Sequence, residues 1–204
     1  MRLLDLGCGR GRHSVSLASQ GHEVIGVDLS EQSVAFAKQT YGNAETLSFL
    51  RADMRELHHH FSNASFDGAF LLFTSFGYFE NDSDHSIVLQ QLYKLLKPGG
   101  VFLLDHFHLK TVQNRLTEHE VIHRDGFRFE INRRIHQGWV EKSIRYNGMD
   151  GEDKHVVERV RAFDPDNLME ICKSAGFLNP ELFGNYNLDA LSERSPRCIL
   201  VARK

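Results

Sequence analysis

The sequence has few cysteines and no long apolar run. Its three cysteines, Cys8, Cys172 and Cys198, are widely spaced and odd in number, which excludes a disulfide framework and a zinc motif and fits a reducing compartment. No apolar segment approaches the roughly 20 residues needed to span a bilayer. The N-terminus does not look like a signal peptide, because a glycine loop follows almost at once. We therefore expect a cytoplasmic protein with no membrane partner.

An excess of positive charge is also lacking. The 24 Lys and Arg residues are outnumbered by 27 Asp and Glu residues, which gives a formal net charge of -3. Proteins that bind nucleic acid usually present a basic face, so the sequence predicts no nucleic-acid partner. The 204 residues, of which 41% are hydrophobic, suffice for one sizeable core with an elaboration.

The first hundred residues alternate strand patterns with helix patterns. Apolar strands are predicted at the start of the chain, at 22–28, at 46–53, at 66–76 and at 101–107, and helices separate them. Ser30 is a good N-cap for the second helix. Strands alternating with helices predict a parallel sheet with right-handed crossovers, and therefore an α/β fold.

The pattern changes after about residue 110. Segments 127–135, 138–146 and 155–163 each alternate apolar and polar residues, which indicates a small antiparallel meander with one wet face. The helical pattern returns after Asp164, a good N-cap followed by Pro165, and two closing strands complete the chain.

The opening MRLLDLGCGRG places three glycines, Gly7, Gly9 and Gly11, directly after the first strand. In an open parallel sheet, ligands bind beyond the carboxyl ends of the strands near the point where strand order reverses. Asp28 and Asp53 end the second and third strands, where they would accept hydrogen bonds from ribose hydroxyls and from an adenine amino group. The constellation predicts a site for adenosine.

Two cofactor classes carry adenosine in this way. A dinucleotide favours G-x-G-x-x-G, whereas this chain has G-x-G-x-G. Asp5, just before the first glycine, would repel a pyrophosphate but suits the amino group and sulfonium of S-adenosylmethionine. A nicotinamide-dependent oxidoreductase is accordingly the weaker alternative.

Five segments resemble the successive motifs of class I S-adenosylmethionine-dependent methyltransferases and occur in the same order. They are LLDLGCGRGRHS, VIGVDLS, FLRADMREL, FDGAFLLFTSFGYF and LLKPGGVFLLD. The later part resembles a bacterial branch that acts on small molecules and carries an antiparallel insert. The resemblance implies a Rossmann-like, doubly wound, mostly parallel seven-stranded sheet, with residues 1–110 as the cofactor-binding half, 111–163 as the antiparallel β insert and 164–204 as the closing part of the same domain. It also implies S-adenosylhomocysteine as product and the following cofactor-binding residues: Asp5, Gly7, Cys8, Gly9, Gly11, Asp28, Leu29, Asp53, Met54, Leu72 and Phe73.

The expected reaction is transfer of a methyl group to a small-molecule acceptor with a nitrogen or oxygen nucleophile, in a monomer or homodimer and without a metal. Tyr78, in the aromatic stretch after the fourth strand, is the candidate acceptor-side residue, and His106, expected to follow the fifth strand, is the candidate base. Their alternative interpretations are a packed aromatic side chain and a polar loop residue.

Family members usually have roughly 30–40 residues before the first strand, a length typical of a functional segment. Their absence here suggests a truncated product, a misplaced start or a lid supplied from elsewhere. It keeps open a second hypothesis, a protein that binds S-adenosylmethionine without turnover or needs a partner.

Overall fold

The main sheet contains seven strands in the order β10-β11-β5-β4-β1-β2-β3. The computed structural model describes residues 1–42, 45–148 and 151–204. The strands of this sheet are β1 (Arg2–Leu6), β2 (Glu23–Asp28), β3 (Leu47–Arg51), β4 (Phe66–Leu71), β5 (Leu96–Phe107), β10 (Leu178–Phe183) and β11 (Arg197–Arg203). The pairs among β1–β5 are parallel, and β11 is antiparallel to both of its neighbours. Strand order reverses between β1 and β4, which confirms the predicted doubly wound topology.

Five α-helices accompany the strands in the described part of the chain: α1 (Arg12–Ala18), α2 (Glu31–Tyr41), α3 (Asp82–Leu95), α4 (Leu109–Arg115) and α5 (Pro165–Ser174). The predicted caps are confirmed. The Ser30 hydroxyl accepts a hydrogen bond from the Ser33 amide at 3.2 Å, and the Asp164 carboxylate accepts one from the Asn167 amide at 2.8 Å. Each cap satisfies a backbone donor that the first helical turn leaves unpaired.

The first strand is buried on both faces. Leu4 and Leu6 join the larger core cluster, whereas Leu3 joins a second cluster with Val34 of α2 on the opposite face. Burying a leucine side chain contributes about 1.5–3 kcal/mol, so these residues fix β1 firmly in the middle of the sheet. The glycine loop that follows β1 therefore starts from a rigid central position.

The insert is a separate four-stranded antiparallel sheet with the order β6-β7-β8-β9. Its strands are β6 (His119–Arg124), β7 (Phe127–His136), β8 (Trp139–Asn147) and β9 (Asp153–Arg161). Three of these strands were expected, but β6 was not. The sequence of β6, HEVIHR, places its two apolar residues side by side, so it lacks the alternation that marks a half-buried strand. The division of the chain at residues 110 and 163 stays a prediction.

Two strand boundaries differ from expectation. The apolar run at 66–76 was predicted as one strand, but β4 ends at Leu71, and the backbone turns at Phe73 and Thr74, whose φ angles are 51° and 64°. The fifth strand was predicted at 101–107 and instead begins at Leu96. No helix among the described residues is long and apolar enough to cross a membrane.

Candidate cofactor and acceptor site

The glycine loop connects β1 to α1 at the carboxyl edge of the main sheet. Gly7, Gly9 and Gly11 have φ angles of +65°, +55° and +82°. A Cβ atom at Gly7 would lie 2.6 Å from the Cβ atom of Ser75, whereas a Cβ atom at Gly9 would meet nothing within 4 Å. Gly7 thus permits close packing with the loop after β4, and Gly9 borders open space that a ligand can fill.

Asp28, at the end of β2, holds the glycine loop in place. One carboxylate oxygen accepts a hydrogen bond from the Gly9 amide and the other accepts one from the Ser30 amide, both at 2.8 Å. An ionised carboxylate offers about four acceptor positions, so about two remain for a ligand. These match the two hydroxyls of a ribose, the role predicted for Asp28.

Asp53 follows β3 and is paired with an arginine that the sequence did not single out. The Asp53 carboxylate accepts hydrogen bonds from Nε and Nη2 of Arg55, the latter at 2.6 Å, and Arg55 also donates to Asp84 at 2.9 Å. The guanidinium hydrogen bonds lower the pKa of Asp53. Asp53 is therefore held as a fixed anion beside the cleft.

These elements surround a cleft of about 370 Å³. Its lining is mainly apolar and includes seven of the predicted site residues. The lining residues are Gly7, Val27, Asp28, Leu29, Ala52, Asp53, Met54, Phe73, Thr74, Ser75, Tyr78 and Phe79. A largely apolar cleft with a few fixed polar groups is the common form of a small-molecule site.

Asp5 lies beneath the glycine loop. Its side chain is 1% exposed and accepts a hydrogen bond from the Ser14 hydroxyl at 2.6 Å, and burial raises the pKa of Asp5 to about 6. Asp5 does not line the cleft, and its contact with the cofactor amino group stays a prediction. Cys8 is also buried, and burial raises the pKa of its thiol above the usual range.

Three further candidates do not line the cleft. Gly11 precedes α1, where a Cβ atom would lie 2.6 Å from the ring of Phe49, so its role is close packing. Leu72 adjoins the cleft only through its neighbour Phe73, and Gly9 only through its amide hydrogen bond to Asp28. Their assignment to the cofactor stays a prediction.

The loop after β4 carries Phe73, which is predicted to contact the cofactor, and Tyr78, which is predicted to face the acceptor. The Phe73 ring is 56% exposed and stacks on the His13 ring with centroids 4.9 Å apart and an interplanar angle of 18°. The Tyr78 side chain is 54% exposed. Partial burial and the negative charge of Glu158, on β9, raise the pKa of Tyr78. The phenol therefore stays protonated at neutral pH and is available as a hydrogen-bond donor.

The expectation that His106 follows the fifth strand is wrong. His106 is within β5 and is 0% exposed. Its Nδ1 lies 3.0 Å from the Phe107 carbonyl oxygen, and its Nε2 has no hydrogen-bond partner among the described residues. Burial lowers the pKa of His106 to about 4. The side chain belongs to the core rather than to the cleft, so it cannot reach an acceptor there.

Sequence reasoning missed a second set of polar residues at this edge. Asp105 is 1% exposed, and it pairs with Arg197 and with Tyr186, which come from the far end of the chain. Nothing in the local sequence around these residues points to their meeting, since it depends on the pairing of β11 with β5.

The sheet order and the glycine loop define a Rossmann-like nucleotide-binding fold with its cleft at the switch point. A family model described as a methyltransferase domain matches residues 3–100. The chain is 30% identical over 218 aligned positions to a provisionally named methyltransferase of Geobacillus sp. (strain WCH70), a match that covers 100% of this chain and 84% of that protein. It is 37% identical over 108 residues to YqeM of Bacillus subtilis (strain 168), also a provisionally named methyltransferase, with 51% of this chain and 41% of YqeM covered.

Among solved structures, CalS10 from Micromonospora echinaspora, an amino pentose methyltransferase with S-adenosylmethionine bound, superposes with a TM-score of 0.74 at 19% identity. That match covers 99% of this chain and 82% of CalS10. The chain belongs to the class I S-adenosylmethionine-dependent methyltransferases, enzymes that take S-adenosylmethionine as cofactor. The predicted family, fold and cofactor are thereby confirmed.

Proposed function

We propose that this chain transfers the methyl group of S-adenosylmethionine to a small molecule through a nitrogen or oxygen nucleophile. The observation that carries the proposal is the single cleft in which Asp28, Asp53 and the exposed face of Tyr78 meet. The first two residues suit an adenosine, and the third lies beside the open acceptor side. When bound, S-adenosylmethionine would supply an activated methyl group: the acceptor would form a bond to the methyl carbon as the carbon–sulfur bond breaks in line, with S-adenosylhomocysteine as the leaving group.

The cofactor half of the proposal rests on the fit of the residues present. Asp28 retains about two free acceptor positions, and Gly9 borders open space. The apolar side chains of Leu29 and Met54 line the cleft between Asp28 and Asp53, where they would enclose an adenine ring. The chain thereby binds and orients the adenosine part and excludes water from it.

The acceptor half rests on the state of the ionisable groups. Among the described residues that line the cleft, the ionisable side chains are Asp28, Asp53 and Tyr78. The first two are assigned to the cofactor, and the raised pKa of Tyr78 keeps its phenol protonated at neutral pH, so it can donate a hydrogen bond but does not take up the acceptor's proton. An amine acceptor suits this arrangement, because it needs only to arrive neutral, whereas a hydroxyl gains from a base. The name of CalS10 as an amino pentose methyltransferase is consistent with such an acceptor.

The insert supports a small acceptor rather than a nucleic acid. Its charges occur as pairs of both signs, such as Arg133 with Glu120 at 3.1 Å and Lys142 with Glu158 at 3.4 Å. Paired charges leave little net positive potential for a phosphate backbone. The absence of a nucleic-acid partner, the monomer or homodimer state and the cytoplasmic location stay predictions.

The first experiment is calorimetric titration with S-adenosylhomocysteine, with NAD as the control ligand. We expect S-adenosylhomocysteine to bind in the micromolar range, about -8 kcal/mol, and NAD not to bind. Binding of NAD alone would contradict the proposal. Binding of S-adenosylhomocysteine without methylation of any small molecule would favour the alternative of a binding protein that lacks turnover.

The second experiment follows methyl transfer from labelled S-adenosylmethionine to panels of small amines and alcohols. Once an acceptor is found, Tyr78→Phe should lower kcat/KM and leave the affinity for S-adenosylhomocysteine within about twofold, since only one acceptor-side hydrogen bond is lost. Tyr41→Phe is the matched control, because Tyr41 lies at the end of α2 and does not line the cleft. Equal effects of the two variants would argue against an acceptor role for Tyr78.

A further inference from the structure

The loop after β4 adopts a backbone conformation that its residues do not favour. Phe73 and Thr74 both have positive φ angles, 51° and 64°. Neither residue is a glycine or an asparagine, and positive φ is a genuine outlier for a β-branched residue such as Thr74. Two successive residues in this region persist only when surrounding groups determine the conformation.

Asp105 supplies two of those determining contacts. Its carboxylate Oδ2 accepts a hydrogen bond from the Phe73 amide at 3.0 Å, and its backbone carbonyl accepts one from the Thr74 amide at 2.8 Å. Asp105 lies near the end of β5 and is 1% exposed. In such a dry position, hydrogen bonds to an ionised carboxylate are stronger than they are in water.

Two residues from the end of the chain hold the Asp105 side chain in turn. Arg197, on β11, donates from Nε to Oδ1 at 2.6 Å, and the Tyr186 hydroxyl donates to Oδ2 at 3.0 Å. The Nη2 atom of Arg197 also donates to the Thr74 hydroxyl at 3.1 Å. Arg197 therefore contacts both the aspartate and the strained loop.

The strained loop is the acceptor-side wall of the cleft. Phe73, Thr74 and Ser75 line it, and the Ser75 hydroxyl oxygen lies 2.6 Å from the Leu72 carbonyl oxygen and 3.2 Å from the Gly7 carbonyl oxygen. A Cβ atom at Gly7 would overlap Ser75, so the two loops fit each other closely. The conformation at Phe73 and Thr74 thus determines how the acceptor wall is placed against the glycine loop.

We propose that Asp105 is a positioning residue for methyl transfer, and that Arg197 and Tyr186 fix it in that role. It acts through the backbone of Phe73 and Thr74 and does not touch the cleft. The role in catalysis rests on the function proposed above, whereas the effect on the loop does not.

The substitution Asp105→Asn isolates this role. An asparagine has one oxygen and one NH₂ group. If the asparagine oxygen accepts the hydrogen bond from Arg197, its NH₂ group faces the Phe73 N–H, and two donors then lie opposite each other. If the side chain is flipped, the NH₂ group faces the guanidinium. In either orientation a buried donor is left unpaired, while the size of the side chain is unchanged.

The test is amide hydrogen exchange of the full chain without ligand, followed by mass spectrometry of peptides that cover 72–77, together with titration of S-adenosylhomocysteine. We expect Asp105→Asn to raise exchange at 72–77 by about tenfold and to weaken S-adenosylhomocysteine binding by about tenfold, the effect of one lost charge-assisted hydrogen bond. The exchange of β1–β3 should not change.

Asp67→Asn is the matched control. Asp67, on β4, accepts hydrogen bonds from the Arg2 amide at 2.6 Å and from Lys97 Nζ at 2.7 Å, but it lies near the start of its strand and does not line the cleft. Asp67→Asn should change neither the hydrogen exchange at 72–77 nor the affinity for S-adenosylhomocysteine. If Asp105→Asn does not fold, Arg197→Lys carries the test: it keeps a positive charge for Asp105 but loses the two separate nitrogens, Nε and Nη2, that hold Asp105 and Thr74 in a fixed geometry, so exchange should still rise at 72–77 alone.

Unchanged exchange at 72–77, or an equal rise throughout the sheet, would overturn the positioning role. If the unsubstituted chain failed to bind S-adenosylhomocysteine, the proposed function would fail instead, and the exchange comparison would still decide whether Asp105 sets the loop.

Discussion

Replacement of Asp28 by alanine is the most direct test of how this chain holds adenosine. The carboxylate already accepts hydrogen bonds from the Gly9 and Ser30 amides, and about two acceptor positions remain. If both bind ribose hydroxyls, Asp28→Ala removes two hydrogen bonds to a charged group. We expect a net loss of about 2–3 kcal/mol in the free energy of S-adenosylhomocysteine binding, or about 30- to 150-fold in Kd.

The same substitution also affects the ligand-free protein, because the Gly9 amide loses its hydrogen-bond acceptor. Asp28→Asn separates the two effects. Asparagine keeps one acceptor oxygen for either Gly9 or Ser30, but it has no charge, so it should bind S-adenosylhomocysteine with an intermediate affinity. Calorimetry gives the affinity, and thermal unfolding without ligand reports on the protein itself.

Glu31→Ala is the matched control. Glu31 begins α2 close to Asp28, and its exposed carboxylate pairs with Arg51 at 3.0 Å, outside the cleft. Its removal changes the net charge by the same amount but leaves the proposed ribose contacts intact, so the affinity should change by less than about twofold. If Asp28→Ala bound S-adenosylhomocysteine as tightly as Glu31→Ala, the assignment of Asp28 to the ribose would be refuted.

Three further predictions concern the folded chain. Gly7→Ala should lower Tm more than Gly9→Ala, since both residues have positive φ but only a side chain at Gly7 would collide with Ser75, at 2.6 Å; thermal melts of the two variants decide this. Burial lowers the pKa of His106 to about 4, so it stays neutral in the fold, whereas in the unfolded chain it takes up a proton below pH 6.5. This difference should cost about 2 kcal/mol of stability between pH 6.5 and pH 5 in urea titrations, and His106→Leu should reduce the measured loss by that amount; the lowered pKa of buried His85 acts in the same direction in both chains. Burial raises the pKa of all three thiols, and it raises those of Cys172 and Cys198 to about 12. A thiol reagent at pH 8 should therefore label no cysteine in the native chain and all three after denaturation. Rapid labelling of the native chain would contradict the buried positions.

The meeting of Gly7, Asp28 and Asp53 at one cleft could be predicted from the sequence, because each of them follows or ends a strand. Glycines after β1, Asp28 after β2 and Asp53 after β3 must meet at one edge, since parallel strands place their carboxyl ends on the same side of the sheet. The apolar strands are short and regular, so their order in the chain carries most of the spatial information. For these residues, the local sequence pattern and the sheet topology predict the same position.

The acceptor side could not be predicted in the same way. Phe73 and Thr74 turn the chain through positive φ without a glycine or asparagine, so the apolar run looks like a continuous strand. The residues that stabilise this turn lie far away in sequence: Arg197 is 92 residues from Asp105, and Tyr186 is 81 residues from it. His106 lies within the strand predicted at 101–107, but the local pattern does not show that its side chain packs in the core, beside Phe163.

Hydrogen bonds join the insert to the loop after β4, so the proposed acceptor side depends on two separate segments of the sequence. The Arg161 amide, at the end of β9, donates to the Gly77 carbonyl at 2.7 Å, and the guanidinium makes two contacts of 3.0 Å with Asp82 at the start of α3. These hydrogen bonds therefore join the last strand of the insert to the loop that carries Tyr78. Burial, together with the charge of Glu158 on the same strand, raises the pKa of that tyrosine. We expect a change in the insert to reach Gly77 and Tyr78 through these contacts, whereas Asp28 is held by Gly9 and Ser30, which lie outside the insert. Acceptor specificity should accordingly vary with the pairing of β9 and the loop after β4, and the proposed contribution of Asp28 to cofactor affinity should not.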